Sequence, residues 1–348
     1  MNKKLLALAL FALVALSAFV VWSLSSDGEY EPSAPVMSAS DDPIGVMRIV
    51  EIHSDESHPS NIGHRTFIDL AYANSDGSLR VEMFSGGWLS PTDRELMAQV
   101  QMGIMEIMRI PAPIIASVEP RFHALSLPGV WDSREAMFAA LDGEVGAFFA
   151  DMLRAHDLYI LAWHDAGARS LYNAVRPIYT PEDLAGLRIR VQEVPLMSRL
   201  IELMGGIPVP LGPAEVYHGI QAGRIDSAEA NWWSYVNLFE HYEVARYFTE
   251  NEHVRVPDAV IISLDVWNGL TPNQQEVLRA AAIEGANAQR AAWAAAELAA
   301  EERAVAAGTV VVRLTPAQRQ AFTDRIVPIW DDFPQYRLYI DMIRAAQA

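Results

Sequence analysis

Two arginines stand near predicted strand ends, where their guanidinium groups could bind a carboxylate. Arg169 lies in the turn 165–170 (DAGARS), just after the apolar strand 158–163. Arg190 lies near the end of the alternating strand 187–191. A guanidinium that points from a strand end into a cleft can hold a carboxylate through two parallel charge-assisted hydrogen bonds. The alternative is an ordinary salt bridge with one of the 44 acidic residues of the chain.

The nearest approach to a metal-binding cluster is a group of histidine and acidic residues in one short segment. Its members are His53, Asp55, Glu56, His58 and His64. Their spacing is not the i, i+4 pair of a helical metal site, and they follow a strand into a loop. We therefore favour a solvated loop, or one histidine that faces a ligand, over a metal site. The chain has no Walker loop and no Gly-x-Ser-x-Gly elbow, and we predict no cofactor.

Composition excludes several classes of protein. The chain has 348 residues, of which 51% are hydrophobic, enough for one large or two ordinary domains. Its 26 basic and 44 acidic residues give a net charge of −18, which argues against binding to nucleic acid. The chain has no cysteine, so disulfides, iron–sulfur clusters and thiol nucleophiles are excluded.

The N-terminal segment has the features of an export signal. Lys3 and Lys4 precede an apolar run over 5–21 that continues to Leu24. A short basic end before an apolar stretch is typical of a secretory signal, and this run is also long enough for an uncleaved anchor. We therefore predict a signal peptide or anchor over 1–25, a flexible linker over 26–44 and a periplasmic location.

Strand and helix patterns alternate from residue 45 onward. We predict strands at 46–50, 79–84 and 187–191 and helices at 61–73 and about 272–307. This order predicts an α/β fold with a largely parallel sheet. The spacing of Glu, Gln, Gly and an acid in 95–106 recurs in 215–226, which favours two similar α/β lobes. A cleft between two such lobes is a common site for a small molecule.

Residues 163–267 resemble the solute-binding subunit of tripartite ATP-independent periplasmic (TRAP) transporters, and weaker similarity reaches back to Ile49. The matching segments include 167–173 (GARSLYN), 180–192 (TPEDLAGLRIRVQ), 215–217 (EVY), 223–229 (GRIDSAE) and 241–245 (HYEVA). The resemblance implies a two-lobed periplasmic binding protein fold with a central cleft and one long lobe-crossing helix. We place lobe I at 45–166 plus about 256–295, and lobe II at 167–255 plus about 296–348.

The same resemblance implies which residues bind the ligand. Arg190 resembles the carboxylate-pairing arginine of the family, and Arg169 its helper. The segment 229–235 (EANWWSY) resembles one that usually begins Glu-Asn-Asn, but Ala230 replaces the first Asn. Trp232 is a candidate floor of the pocket, with a core position beside Trp233 as the alternative. The full predicted set is Arg169, Arg190, Asn231, Trp232, Glu229, Tyr217, Arg109 and His58.

The implied function is capture of an organic acid by a non-enzymatic, monomeric protein that delivers it to membrane permease subunits. A sugar acid such as a hexuronate is the leading ligand, followed by a C4-dicarboxylate. One alternative is a secreted lyase or hydrolase of carboxylated sugars, which would need paired acids or an activated histidine. Another is a periplasmic sensor of the same ligand, which the sequence does not separate from a transporter subunit.

Overall fold

A computed structural model describes residues 45–86 and 92–347. The predicted signal peptide or anchor (1–25) and the linker (26–44) lie outside the described residues. Within the described ranges, no helix combines the length and the apolar character needed to cross a membrane. The strands in these ranges form one sheet of five strands, sheet I, and one of six, sheet II.

The two sheets are built from different parts of the chain. Sheet I contains β1 (Val46–Glu51), β2 (Arg80–Ser85), β3 (Ile107–Pro111), β4 (Leu158–His164) and β10 (Asp258–Ser263), in the order β2-β1-β3-β10-β4. Sheet II contains β5 (Ala168–Asn173), β6 (Arg188–Val191), β7 (Ile207–Pro210), β8 (Ser227–Ala230), β9 (Tyr247–Arg255) and β11 (Val310–Val312), in the order β11-β9-β5-β8-β6-β7.

Helices connect and cover the strands. In chain order they are α1 (Pro59–Asn74), α2 (Asp93–Gln101), α3 (Ala112–Ile115), α4 (Arg134–Leu141), α5 (Glu144–Leu153), α6 (Pro195–Met204), α7 (Val216–Gln221), α8 (Leu264–Gly269), α9 (Pro272–Ala306), α10 (Pro316–Ile326) and α11 (Arg337–Ala345). The predicted helices at 61–73 and 272–307 are therefore present, as α1 and α9.

The two sheets share one plan. In sheet I, α1 connects β1 to β2 and α2 connects β2 to β3; in sheet II, α6 connects β6 to β7 and α7 connects β7 to β8. In sheet I, β1 lies between β2 and β3, and in sheet II, β6 lies between β7 and β8. The recurring segments 95–106 and 215–226 contain most of α2 and α7 and run up to β3 and β8, so they occupy equivalent positions. The prediction of two similar lobes is confirmed.

The sheets are mixed, which corrects the prediction of a largely parallel sheet. Five strand pairings are parallel and four are antiparallel. All four antiparallel pairings involve β5 or β10, the strands that follow the two passages between the sheets that contain no helix. The third passage runs through α8 and α9 to β11, which is parallel to β9. Parallel neighbours need a crossover connection. At the two passages that contain no helix, the chain enters the other sheet directly, without such a connection. The strand that follows is antiparallel to its neighbours.

Helix α9 packs on both sheets, as the resemblance implied. It begins with a capping box at Thr271 and a proline at the first helical position. Its first half, including Leu278 and Ala282, is buried against sheet I. Its second half, including Ala300 and Ala304, is buried in the core of sheet II. One rigid helix therefore supports both halves of the molecule.

The contact between α1 and α9 depends on two glycines. A Cβ on Gly63 would lie 2.6 Å from the Gln289 Cβ, and a Cβ on Gly285 would lie 2.8 Å from the Gly63 carbonyl oxygen. Real Cβ atoms do not come so close to other heavy atoms. The absence of side chains at these two positions lets the helices approach closely and bury the face of α1 that carries Phe67.

The lobe boundaries given by the sequence remain predictions. The strands of sheet I lie within the ranges predicted for lobe I, and those of sheet II within lobe II. The C-terminal segment, predicted to belong to lobe II, contacts residues of both ranges. Trp330 donates its indole N–H to the Pro128 carbonyl at 2.9 Å, and Ile340 and Ile343 share a core cluster with Phe122.

Candidate functional site

A cavity of about 810 Å³ is lined by residues from both sheets and their connections. From the sheet I side the lining includes His53, His58, Asp93, Arg109 and Asp258. From the sheet II side it includes Arg169, Gln192, Asn231, Trp233 and the first turn of α6. Small-molecule sites typically measure about 300–1,000 Å³. The cavity is therefore large enough for a sugar-sized ligand and ordered water.

The sheet I wall is built around a buried arginine with two carboxylate partners. Arg109 donates from Nε to Glu51 Oε2 at 2.9 Å and from Nη1 to Asp258 Oδ2 at 2.6 Å. Glu51 also contacts Nδ1 of His53 at 2.6 Å and Nε2 of His64 at 3.2 Å. Burial alone disfavours the Arg109 cation, but the two carboxylates outweigh it and hold the pKa of Arg109 above its ordinary value. The charge of Arg109 is thus already neutralised.

Two further carboxylate oxygens of this wall lack a protein donor. Oδ1 of Asp258 and Oδ1 of Asp93 are buried and have no hydrogen-bond partner within the described part of the chain. Burial raises the pKa of both carboxyl groups, although Arg109 partly opposes the shift. The wall therefore offers acceptor oxygens to a ligand, whereas its one guanidinium is occupied.

His58 stands at the cavity as a neutral imidazole within an aromatic group. Its ring stacks on His53 at 3.7 Å between centroids and meets Trp233 and Trp293 edge-on at 5.1 Å and 5.8 Å. Burial lowers the pKa of His58 to about 3, with the neighbouring His53 acting in the same direction. Its Nδ1 accepts from the Ser60 N–H at 3.2 Å, which places the ring proton on Nε2. His58 can thus donate one hydrogen bond.

On the sheet II wall, Arg169 is held by Glu229. Its Nη2 donates to Glu229 Oε1 at 2.7 Å and to the Glu229 carbonyl at 2.9 Å, and its Nε contacts the other carboxylate oxygen. Burial disfavours the Arg169 cation, but Glu229 outweighs it and raises the pKa of Arg169. The pair positions the guanidinium of β5 at the cavity and balances its charge.

Arg190 differs from both other arginines because it forms no ion pair with any described residue. The residue is only 8% exposed, and its one hydrogen bond runs from Nε to the Leu211 carbonyl at 2.8 Å. Burial lowers the pKa of Arg190, and the attraction of Glu229 only partly offsets this effect. A guanidinium with unused donors and an uncompensated charge is ready for an anion.

The passage from β4 to β5 is fixed to helix α9. Gln289 accepts from the Asp165 N–H at 2.9 Å and donates to the Asp165 carbonyl at 2.7 Å. Gly167 has φ +74°, and a Cβ there would lie 2.5 Å from Glu297 Oε1 and 2.8 Å from Trp293 Nε1. This left-handed conformation, pressed against the helix, requires glycine.

Among the described residues, no group of three or more His, Asp or Glu is arranged to hold a metal ion. Glu229 is paired with Arg169, and Glu215 is exposed and outside the cavity lining. The sheet I side of the cavity offers a hydrogen-bond donor on His58 and acceptor oxygens on Asp93 and Asp258.

The model of bacterial extracellular solute-binding protein family 7 matches residues 50–335, more than half of the chain. The chain belongs to this family. A solute-binding protein of Chromohalobacter salexigens is 31% identical over 80% of this chain and 82% of its own length. The C4-dicarboxylate-binding periplasmic protein of Rhodobacter capsulatus is 27% identical over 83% of this chain and 86% of its own length.

Solved structures confirm that the family 7 protein has the two-lobed TRAP fold. A TRAP solute-binding protein from a Sulfitobacter species with bound β-D-galacturonate is 31% identical and has a TM-score of 0.73. The match covers 86% of this chain and 99% of the Sulfitobacter chain. A ligand-free, open structure from Citrobacter koseri, with the same coverage, is only 26% identical but has a TM-score of 0.78.

Four of the eight predicted ligand contacts line the cavity, namely Arg109, His58, Arg169 and Asn231. The Asn231 amide is already engaged in the fold of the family 7 protein. Its Nδ2 donates to the Ala166 carbonyl at 2.9 Å, and its Oδ1 accepts from the Ser234 N–H at 2.7 Å. Asn231 therefore ties the end of β8 to the passage between the sheets.

The other four, Arg190, Glu229, Tyr217 and Trp232, are outside the cavity lining. Tyr217 donates its hydroxyl to Glu243 at 2.8 Å. Trp232 stacks on Phe248 at 3.7 Å in the core of sheet II, so the structure places it where the alternative interpretation did. Trp233 lines the cavity instead, because the chain becomes helical directly after Asn231 and adjacent side chains there point about 100° apart. A role in ligand binding stays a prediction for all eight residues.

Several residues that line the cavity of the family 7 protein were not predicted from the sequence. Trp293 is a large aromatic residue within an alanine-rich helix, an anomaly that could have identified it. Asp93 opens α2, where an acid is explained by the helix dipole alone. His53 lay in the histidine-rich segment that was considered for a metal site.

Proposed function

We propose that this family 7 protein captures an organic acid in the periplasm through Arg190 and Arg169 and delivers it to the membrane subunits of a TRAP transporter. The observation that carries the proposal is the uncompensated guanidinium of Arg190. A buried cation is costly unless it is paired, and a ligand carboxylate is the partner that its planar donors fit best.

The ligand would bind while the cleft closes around it. Arg169 faces the cavity from the sheet II side, whereas Arg109 and His58 face it from the sheet I side. Arg190 lies outside the lining but close enough to Arg169 and Glu229 to interact with their charges, and it would reach the ligand as the cleft closes. A ligand that contacts both walls binds more tightly to the closed form, and this difference in affinity drives closure. The aromatic faces of Trp233 and Trp293 suit the C–H face of a sugar ring.

A sugar acid is the leading ligand, because solved relatives hold galacturonate and glucuronate. A C4-dicarboxylate is the second candidate, because the Rhodobacter capsulatus relative binds this class. The protein acts without catalysis in either case. We expect incubation with hexuronates to yield no product, and a product would support the lyase or hydrolase alternative.

A thermal-shift screen over sugar acids and dicarboxylates tests the proposal. A ligand that binds only the folded state at about 100 times its Kd raises the free energy of unfolding by about 2.7 kcal/mol. We expect at least one acid to produce such a shift and to give a one-to-one titration in calorimetry. A screen in which neutral sugars stabilise the protein and acids do not would overturn it.

A further inference from the structure

Resting on the proposed function, we infer that the site selects acids with a single carboxylate, and that Asp93 is a specificity-determining residue. The sheet II wall binds the one carboxylate. The sheet I wall repels a second carboxylate and accepts hydrogen bonds from hydroxyl groups in its place. This assigns the ligand to the hydroxylated monocarboxylates and excludes the dicarboxylates.

The sheet II wall has one unbalanced positive charge. Arg169 lines the cavity, and Arg190, which lies outside the lining, is close enough to interact with Arg169 and Glu229. These two cations share one buried carboxylate, that of Glu229, which is paired with Arg169. Glu193, the next acid along the chain, is exposed to solvent and forms no ion pair with a described residue. Water screens such an exposed charge strongly. One ligand carboxylate therefore completes the balance on this side.

The sheet I wall has no positive charge to offer, with histidine counted as neutral. Arg109 is its only cavity-lining arginine among the described residues, and it faces Glu51, Asp258 and Asp93. Three ionised carboxyl groups against one guanidinium leave a surplus of negative charge. Protonation of both aspartates would leave Arg109 balanced by Glu51 alone. Burial alone would raise the pKa of Glu51, but Arg109 and the neighbouring histidines hold it below its ordinary value. This carboxylate therefore stays ionised, and the wall is neutral or negative whether or not its aspartates are protonated.

The same wall has acceptors that require a donor. Oδ1 of Asp93 and Oδ1 of Asp258 are buried, and the described residues supply neither atom with a hydrogen bond. Both residues line the cavity. A ligand hydroxyl can donate to such an oxygen, whereas a ligand carboxylate can only accept. The second carboxylate of a dicarboxylate would therefore place its acceptor oxygens and its negative charge against the carboxylates of this wall, without water between them.

Asp93 is the residue through which this selectivity can be tested. Asp258 and Glu51 hold Arg109 in place, so their replacement would disturb the wall itself. Asp93 is only half-buried at the first turn of α2, and it forms no ion pair within the described chain. The substitution Asp93→Asn removes its charge while it keeps an acceptor oxygen and the shape of the side chain.

The experiment compares monoacids with diacids of matched size by calorimetry. D-Glucuronate and D-gluconate are the monoacids, and D-glucarate and succinate are the diacids. For the wild-type protein we expect the better monoacid to bind at least 30-fold more tightly than either diacid. A diacid that binds within threefold of the better monoacid, or more tightly, would overturn the inference but leave organic acid capture intact. If none of the four acids binds, the proposed function fails and the inference fails with it.

The variants then test the role of Asp93. We expect Asp93→Asn to lower the preference for the monoacid about tenfold, because one like charge near a second carboxylate is removed. Asp69→Asn, which changes the same charge on an exposed position of α1, should leave the preference unchanged. Equal preferences in Asp93→Asn and Asp69→Asn would refute the assignment of Asp93. The wild-type comparison needs no variant and decides the selectivity even if Asp93→Asn does not fold.

Discussion

Replacement of Arg190 by alanine should separate ligand binding from folding in this protein. Arg190 makes one hydrogen bond, to the Leu211 carbonyl, and no ion pair with any of the described residues. Its strand buries Ile189 and Val191 on the opposite face, and these residues belong to the core. The substitution therefore removes a charge and leaves the packing of β6 in place.

The expected loss of affinity is large. Removal of one partner from a buried, hydrogen-bonded charge pair costs about 2–5 kcal/mol, which is about 30-fold to several-thousand-fold in Kd. The ligand-free variant should be as stable as the wild type within about 1 kcal/mol, or more stable. Burial lowers the pKa of Arg190, so its charged form is disfavoured in the folded protein until a carboxylate arrives.

Calorimetry with a sugar acid from the screen measures the first effect, and urea denaturation measures the second. Arg188→Ala is a matched control on the same strand, because Arg188 pairs with Asp226 and its side chain is 42% exposed. We expect Arg188→Ala to bind normally. Arg190→Lys should restore little affinity, since an ammonium group lacks the planar fork. Near-wild-type affinity in Arg190→Ala, or equal losses in both alanine variants, would refute the reasoning.

Three further results are expected. Gly285→Ala should destabilise the protein by about 1–3 kcal/mol in urea denaturation, because its Cβ would lie 2.8 Å from a backbone oxygen of α1. Gly269→Ala is the control, because a Cβ at that position would meet open space. Equal stabilities of the two variants would contradict the close contact between α1 and α9. Saturating sugar acid should reduce the radius of gyration in small-angle scattering and change the fluorescence of Trp233 and Trp293; an unchanged radius would indicate a rigid cleft. Burial lowers the pKa of His253 from 6.5 to about 3, so below pH 6.5 the unfolded chain binds a proton that the folded protein does not, and acidification lowers the free energy of unfolding. His253→Gln should make that decline shallower by up to about 1.4 kcal/mol per pH unit, and an identical pH profile would show that His253 is not buried in its neutral form.

The fold could be predicted from sequence because its signals are local and repeated. The alternation of strands with helices identified an α/β protein, and the matching residues of 95–106 and 215–226 indicated two similar lobes. The direction of β5 and β10 could not be predicted in the same way. It depends on where the chain passes from one sheet to the other, and periodicity within a segment contains no information about which sheet that segment joins.

The candidate site could be predicted only in part, because side-chain partners come from distant parts of the chain. Arg169 and Arg190 are similar in sequence context, yet Arg169 is paired with Glu229, 60 residues away, and Arg190 is not paired with any described acid. Arg169 forms the salt bridge of the alternative interpretation and also lines the cavity, so its role in ligand binding stays a prediction. Trp233 lines the cavity, whereas the predicted residue is its neighbour Trp232. The position of a turn cannot be predicted from sequence to within one residue.

The uncompensated charge of Arg190 also explains why closure should wait for the ligand. Arg190 is only 8% exposed in the ligand-free protein, so its uncompensated charge already has little water around it. Closure of the empty cleft would remove the remaining water and leave the cation without a counter-ion, which is strongly unfavourable. A bound carboxylate supplies the counter-ion, so the same movement becomes favourable and the closed population rises with ligand concentration. If Arg190 binds the solute as proposed, the same residue also disfavours closure of the empty protein, and Arg190→Ala should raise the closed fraction of the ligand-free protein.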